Sequence, residues 1–133
     1  MATSPTAQAL QQAADGLTYQ SETDAPWHAF AWPAATGEPT GPAVRQMGRH
    51  KPRSPVAEQL VDDFLGPLGR DKDWYGDEER ATAAKYRALL DAVKRYLKSP
   101  KVVKVGRRKV TVYVVGVANE GGWAGLMTPA VET

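Results

Sequence analysis

Cysteine is absent from the chain, and its absence removes disulfides, thiolate nucleophiles and cysteine-ligated zinc together. Histidine is nearly absent too. Of the two, His28 stands in "WHAFAW" and His50 in a basic stretch, and neither has a second ligand at a metal-binding spacing. No run approaches the about 18 to 20 uninterrupted apolar residues of a membrane helix. Met1 to Ala14 lacks the basic start of a signal peptide, so the expectation is a soluble, cytoplasmic protein without a membrane partner. There is no G-x-S-x-G elbow, no G-x-x-x-x-G-K-[ST] phosphate loop and no G-x-G-x-x-G after a strand. Ser21, Ser54 and Ser99 all precede turns or helices, where capping explains them. The sequence therefore points away from an enzyme and implies no cofactor.

What is present suits one domain over residues 1–133. The chain is 42% hydrophobic and 24% charged, with a net charge of +2. A domain of this length buries roughly two-thirds of its unfolded surface. So small a net charge does not mark a nucleic-acid binder by itself, because phosphate recognition needs basic residues gathered on one face.

Gln8 to Ala14 reads as a helix that Asp15-Gly16 reverses. Trp27 to Trp32 alternates as a strand, with His28, Phe30 and Trp32 on one side, and Pro33 stops it. Residues 33–54 shift to Pro, Gly, Thr and Arg and are expected to form a long irregular basic loop, apart from a short run at Ala43 to Met47. Ser54 as N-cap and Pro55 at the first helical position introduce a second helix, with Val56, Leu60, Val61 and Phe64 at helical spacing. The clearest periodicity follows "DWYGDEER". Tyr86, Leu89, Leu90, Val93, Tyr96 and Leu97 share one stripe of a third helix, which acids open, lysines close and Ser99-Pro100 ends.

"KVVKV", a Gly106-Arg107 turn and "RKVTVYVVGV" read as a hairpin, and Trp123 to Val131 as a further strand whose Pro129 belongs at an edge or an end. Both faces of "VTVYVVGV" are apolar, so both need a cover. The expected fold is a three-layer α/β/α sandwich around a mixed, mostly antiparallel sheet.

Two basic clusters stand out. Arg45, Arg49, His50, Lys51 and Arg53 lie in the loop, while Lys104, Arg107, Arg108 and Lys109 surround the hairpin turn. Brought together they would track a phosphate backbone, making the chain a small basic nucleic-acid-binding module. Without interleaved aromatics to stack on bases, solvated surface charge is the preferred account and direct nucleic-acid binding is not expected. Asp73 and Trp74 precede the long helix. Either Asp73 or Asp77 caps it and Trp74 or Tyr75 staples its start, or an exposed Trp beside a carboxylate anchors an interface. Glu22, in "SETD", reads locally as part of a polar turn. An enzyme using Glu22 and Asp73 as a carboxylate pair is the remotest alternative, since nothing marks a substrate.

The segments "ADGLTYQSETDAPWHAFAW", "DWYGDEERATAAKYRALLDAVKRYLKSPKV", "VTVYVVGV", "AGLMT" and "VET" together closely resemble the nuclease A inhibitor family. The likeness runs from about Ala9 to Thr133, except between about Pro33 and Arg70. It implies a PR-1-like α/β/α sandwich and a cytoplasmic protein, monomeric on its own, that blocks a sugar-nonspecific DNA/RNA endonuclease of the ββα-metal type. It further implies that Thr133 enters the nuclease active site, its hydroxyl and terminal carboxylate approaching the nuclease's magnesium. Glu22 matches the family glutamate that meets an active-site arginine, and Asp73 and Trp74 match the rest of the contact surface. The resemblance implies an acidic protein, whereas this chain carries +2, so plugging by a few local groups is expected rather than mimicry of DNA by bulk charge.

Overall fold

The computed structural model describes residues 4–132. The first helix, α1 (Pro5–Ala14), begins where the Ser4 hydroxyl accepts the Ala7 N–H at 3.1 Å, and Gly16, at φ +80°, turns the chain out of it. A two-stranded antiparallel ribbon follows, β1 (Thr18–Gln20) and β2 (Asp24–Pro26), and then β3 (His28–Trp32). After α2 (Gly41–Met47), β4 (Val56–Gln59) and α3 (Val61–Leu65) comes the long helix α4 (Asp77–Tyr96). The chain finishes in β5 (Leu97–Gly106), β6 (Lys109–Ala118) and β7 (Trp123–Val131).

The main sheet has the order β3-β7-β6-β5-β4, and every pairing in it is antiparallel, which corrects the expectation of a mixed sheet. Short reversals join β5 to β6 and β6 to β7, while β4 reaches β5 through α3 and α4, and β3 pairs with β7 across most of the chain. Both faces of β6 are covered. Val110, Val112 and Val114 pack with Leu10, Phe64, Leu89 and Val93 of the three helices on one face. Tyr113 and Val115 pack on the other with Val103, Val105, Trp123 and Val44 of α2. Each such buried side chain contributes about 1.5 to 3 kcal/mol.

The short run expected at Ala43 to Met47 within residues 33–54 is α2, capped by Thr40, and Trp123 Nε1–H donates to the Gly37 carbonyl at 2.8 Å, holding the approach to it. Two local expectations are revised. Val56 to Phe64 is not one helix capped by Ser54. Val56–Gln59 pairs as an edge strand with Val102–Val105, and the helix starts only at Val61. The i, i+4 spacing of Val56 and Leu60 was compatible with a helix, but β5 offered an unpaired edge, and Leu60 is left 65% exposed. Finally, α4 stops at Tyr96. Ser99-Pro100 breaks the register inside β5 rather than ending the helix, with Ser99 at φ 49°.

Pro129 falls where the sequence required. β3 pairs β7 only as far as Met127. Beyond it, the N–H and carbonyl of Val131 point away from β6, toward Ser21 and Glu22. Two residues earlier, Pro129 faces the same side, so its missing N–H breaks no bond to β6.

Candidate functional site

Glu22 sits on the bend joining β1 to β2, and that bend is fastened to the end of β7. The Glu22 N–H donates to the Val131 carbonyl at 3.2 Å, and the Val131 N–H donates to the Ser21 hydroxyl oxygen at 3.0 Å. Ser21 thus supplies a side-chain acceptor where a sheet edge would otherwise be unpaired, leaving the Glu22 carboxylate exposed beside it. The ribbon itself is tied down twice. Tyr86 Oη accepts from Trp27 Nε1 at 3.2 Å and donates to the Thr18 carbonyl at 2.5 Å, while Thr128 donates to the Pro26 carbonyl at 2.9 Å. Burial raises the Tyr86 pKa, so the phenol keeps the proton that this bond requires.

The opposite side of the same strand end is held by the β5–β6 turn. Glu132 N–H donates to the Arg108 carbonyl at 2.9 Å, and its carboxylate pairs with Lys104 Nζ at 3.0 Å. Lys104 also lies over the Phe64 ring, 5.3 Å from its centroid. Hydrogen bonding therefore fixes the chain as far as Glu132. Thr133, the residue that the resemblance makes central, lies outside the described residues.

Asp73 and Trp74 are exposed, and neither serves α4 as sequence reasoning allowed. Gly76 is the N-cap, its N–H bonded to Glu79 Oε2 at 3.1 Å, and Asp77 is already in the helix. Trp74 is 72% exposed, stacked edge-on against Tyr75 at 4.7 Å with Lys72 Nζ above it at 5.7 Å. A staple would be buried, so this ring is free to bind something else. It forms one wall of an open groove of about 610 Å³, whose other walls include Gln20, Leu68 and Tyr86. Gln20 is two residues from Glu22, so the groove leads from Trp74 toward the bend that carries the glutamate. Among the described residues no hydrogen bond or ion pair joins Glu22 to Asp73 or Trp74.

Sequence reasoning missed Ser21 as the residue that positions Glu22, and Lys72 and Tyr75 as supports of Trp74. Only the serine carried a local signal, as a turn former before an acid. For the two basic clusters, sequence reasoning preferred solvated charge and left open whether the fold brings them together. The structure places Lys51 and Arg53 beside Arg107, Arg108 and Lys109 around one shallow cleft. Arg45 donates to the Ser54 carbonyl at 3.0 Å, and Arg49 takes a positive φ of 60° at the exit of α2. His50 is hydrogen-bonded to the Tyr113 hydroxyl at 2.6 Å, and burial lowers its pKa. Arg45 and His50 hold the loop, and none of the three lines the cleft. Among the described residues no group of three His, Asp or Glu side chains could hold a metal ion, and no helix is long and apolar enough to cross a membrane.

An exposed acid beside an anchored strand end, with an aromatic-walled groove alongside, has the make-up of a protein-binding surface. The family model described as nuclease A inhibitor-like protein matches residues 4–133, and the chain belongs to that family. A comparison with curated proteins found no match.

Proposed function

We propose that this chain inhibits a sugar-nonspecific endonuclease of the ββα-metal type, with Thr133 as the C-terminal residue plugging the active site. A carboxylate and a hydroxyl on one residue offer hard oxygens of the kind magnesium accepts, and they would stand where a scissile phosphate binds. Glu22 pairs with a cationic active-site residue of the nuclease, a charge-assisted contact that strengthens as water is excluded. Asp73 and Trp74 extend the contact along the groove, Trp74 as its aromatic anchor. The chain performs no chemistry of its own. The corresponding fold is the PR-1-like α/β/α sandwich, a reading supported by the burial of both sheet faces.

The observation that carries this reading is the hydrogen bond from Glu22 N–H to the Val131 carbonyl. It holds the Glu22 backbone beside Val131, which precedes Thr133 by two residues in sequence, and this supports a reading in which one active site receives both. The test is magnesium-dependent DNA degradation by a ββα-metal endonuclease, with the untagged protein, one lacking Thr133, and one extended beyond it. Inhibition by the untagged chain, lost in both altered forms, is expected. Full inhibition by the extended form would overturn the plug, and no inhibition by any form would overturn the assignment of target.

A further inference from the structure

The proposed plug leaves the basic cleft unused. It is formed by two segments about fifty residues apart in sequence, Lys51 to Pro55 and Gly106 to Lys109, covering about 460 Å³. The Gly106 N–H donates to the Pro55 carbonyl at 2.9 Å, and Arg45 donates to the Ser54 carbonyl at 3.0 Å, so backbone and side-chain bonds hold the segments together. Gly106 adopts φ +122°, and a Cβ there would stand 2.3 Å from the Lys109 carbonyl oxygen, so the turn that presents the cations requires glycine.

Five cations surround this cleft: Lys51, Arg53, Arg107, Arg108 and Lys109. Its remaining lining is Ser54, Pro55 and Gly106, with no acid among them. Among the described residues none of the five forms a salt bridge. The nearby acid Glu132 is already engaged by Lys104. Like charges gathered in this way repel one another until an anion joins them.

We infer that the cleft binds the phosphodiester backbone of nucleic acid. Three arginines offer planar donors that match phosphate oxygens, and the two lysines add point charge. A protein partner is disfavoured because the cleft has no aromatic or large aliphatic residue to anchor one. The same lack removes base stacking, so binding follows the backbone and ignores sequence. This site is independent of the plug, although it neighbours it through the bond from Glu132 N–H to the Arg108 carbonyl.

The test is fluorescence anisotropy of the full chain, without nuclease or magnesium, on a labelled DNA duplex of about 20 base pairs at about 20 mM salt. Binding is expected to weaken steeply with salt. The triple variant Arg53→Gln/Arg107→Gln/Arg108→Gln should lose at least about tenfold in affinity and lower the log–log salt slope by about three. Its control, Arg80→Gln/Lys85→Gln/Arg95→Gln, removes three exposed cations from α4 and should change affinity less than about twofold. Matching circular dichroism and melting would show that both variants fold. No binding by the unaltered chain, or equal loss in both triples, would overturn the inference. Polyglutamate bound as tightly as the duplex would overturn it in favour of an acidic protein. Because no nuclease is present, the outcome does not depend on the inhibitor reading.

Discussion

The two flanks of the β7 end are built by the same device and carry opposite charge. On one side Ser21 and Glu22 close the strand edge through the Val131 amide group, and on the other Arg108 closes it through Glu132 N–H. The acidic flank presents the exposed Glu22 and Asp24 carboxylates and leads into a groove lined by Glu78, Glu79 and an exposed Trp. The basic flank presents five cations and no apolar anchor. Backbone bonding thus decides where each flank stands, while side-chain composition decides what it can bind. An aromatic-walled groove suits a protein surface and a bare cationic cleft suits a polyanion.

The contrast is broken most severely at Trp74. Trp74→Ala should weaken inhibition about 30-fold, roughly 2 kcal/mol, while leaving the melting temperature and DNA binding unaltered, because the ring is 72% exposed and far from the cations in sequence. Inhibition constants and melting curves on the same preparations decide this. An unchanged inhibition constant would make the groove a passive surface.

A smaller effect is expected from Ser21→Ala. It leaves the Val131 N–H without its acceptor and should cost about 1 kcal/mol in urea unfolding, with inhibition several-fold weaker as Glu22 loses its fixed position. DNA binding should hold, since the basic flank keeps its own bond to Glu132. Equal damage to both activities would show that the flanks are one unit.

The smallest effect concerns the layer beneath the basic flank. Burial lowers the His50 pKa below its ordinary 6.5, so the unfolded chain takes up the proton first. The stability this histidine contributes is complete above pH 6.5 and declines as pH falls below it. Urea midpoints measured between pH 7.5 and about pH 5 should show that decline, and His50→Asn should flatten it. A midpoint that stays level in the unaltered chain would remove His50 as the cause of any acid sensitivity on this side.

Glu120, on the turn between β6 and β7 and bonded to the start of α1, contributes in the same direction. Burial opposes its ionisation, but bonds from the Ser4 and Thr6 hydroxyls and backbone N–H groups prevail and hold its pKa at about 2. Its support is complete above the ordinary value of 4.5 and is lost only as pH falls toward 2. The two groups therefore act in separate windows, and a loss beginning near pH 6.5 belongs to His50.

What the sequence by itself determined was whatever a local period or turn chemistry could encode. The stripe from Tyr86 to Val93 specified α4, and the two apolar faces of "VTVYVVGV" required cover on both sides of β6. Gly106 placed the hairpin turn, and Pro129 the free side of the last strand. The family likeness supplied Glu22, Asp73, Trp74 and Thr133 without showing which of them meet.

Only the tertiary structure decided the remainder. Val56 to Gln59 became a strand because β5 had an open edge, a fact absent from its own period. Trp74 was left exposed because Gly76 and Glu79 already capped α4. Glu22 came beside Val131, and Lys51 and Arg53 beside Arg107 to Lys109, through hydrogen bonds between residues distant in sequence. Local propensity acts over a few residues, whereas long-range pairing depends on which donors and edges the rest of the fold leaves open.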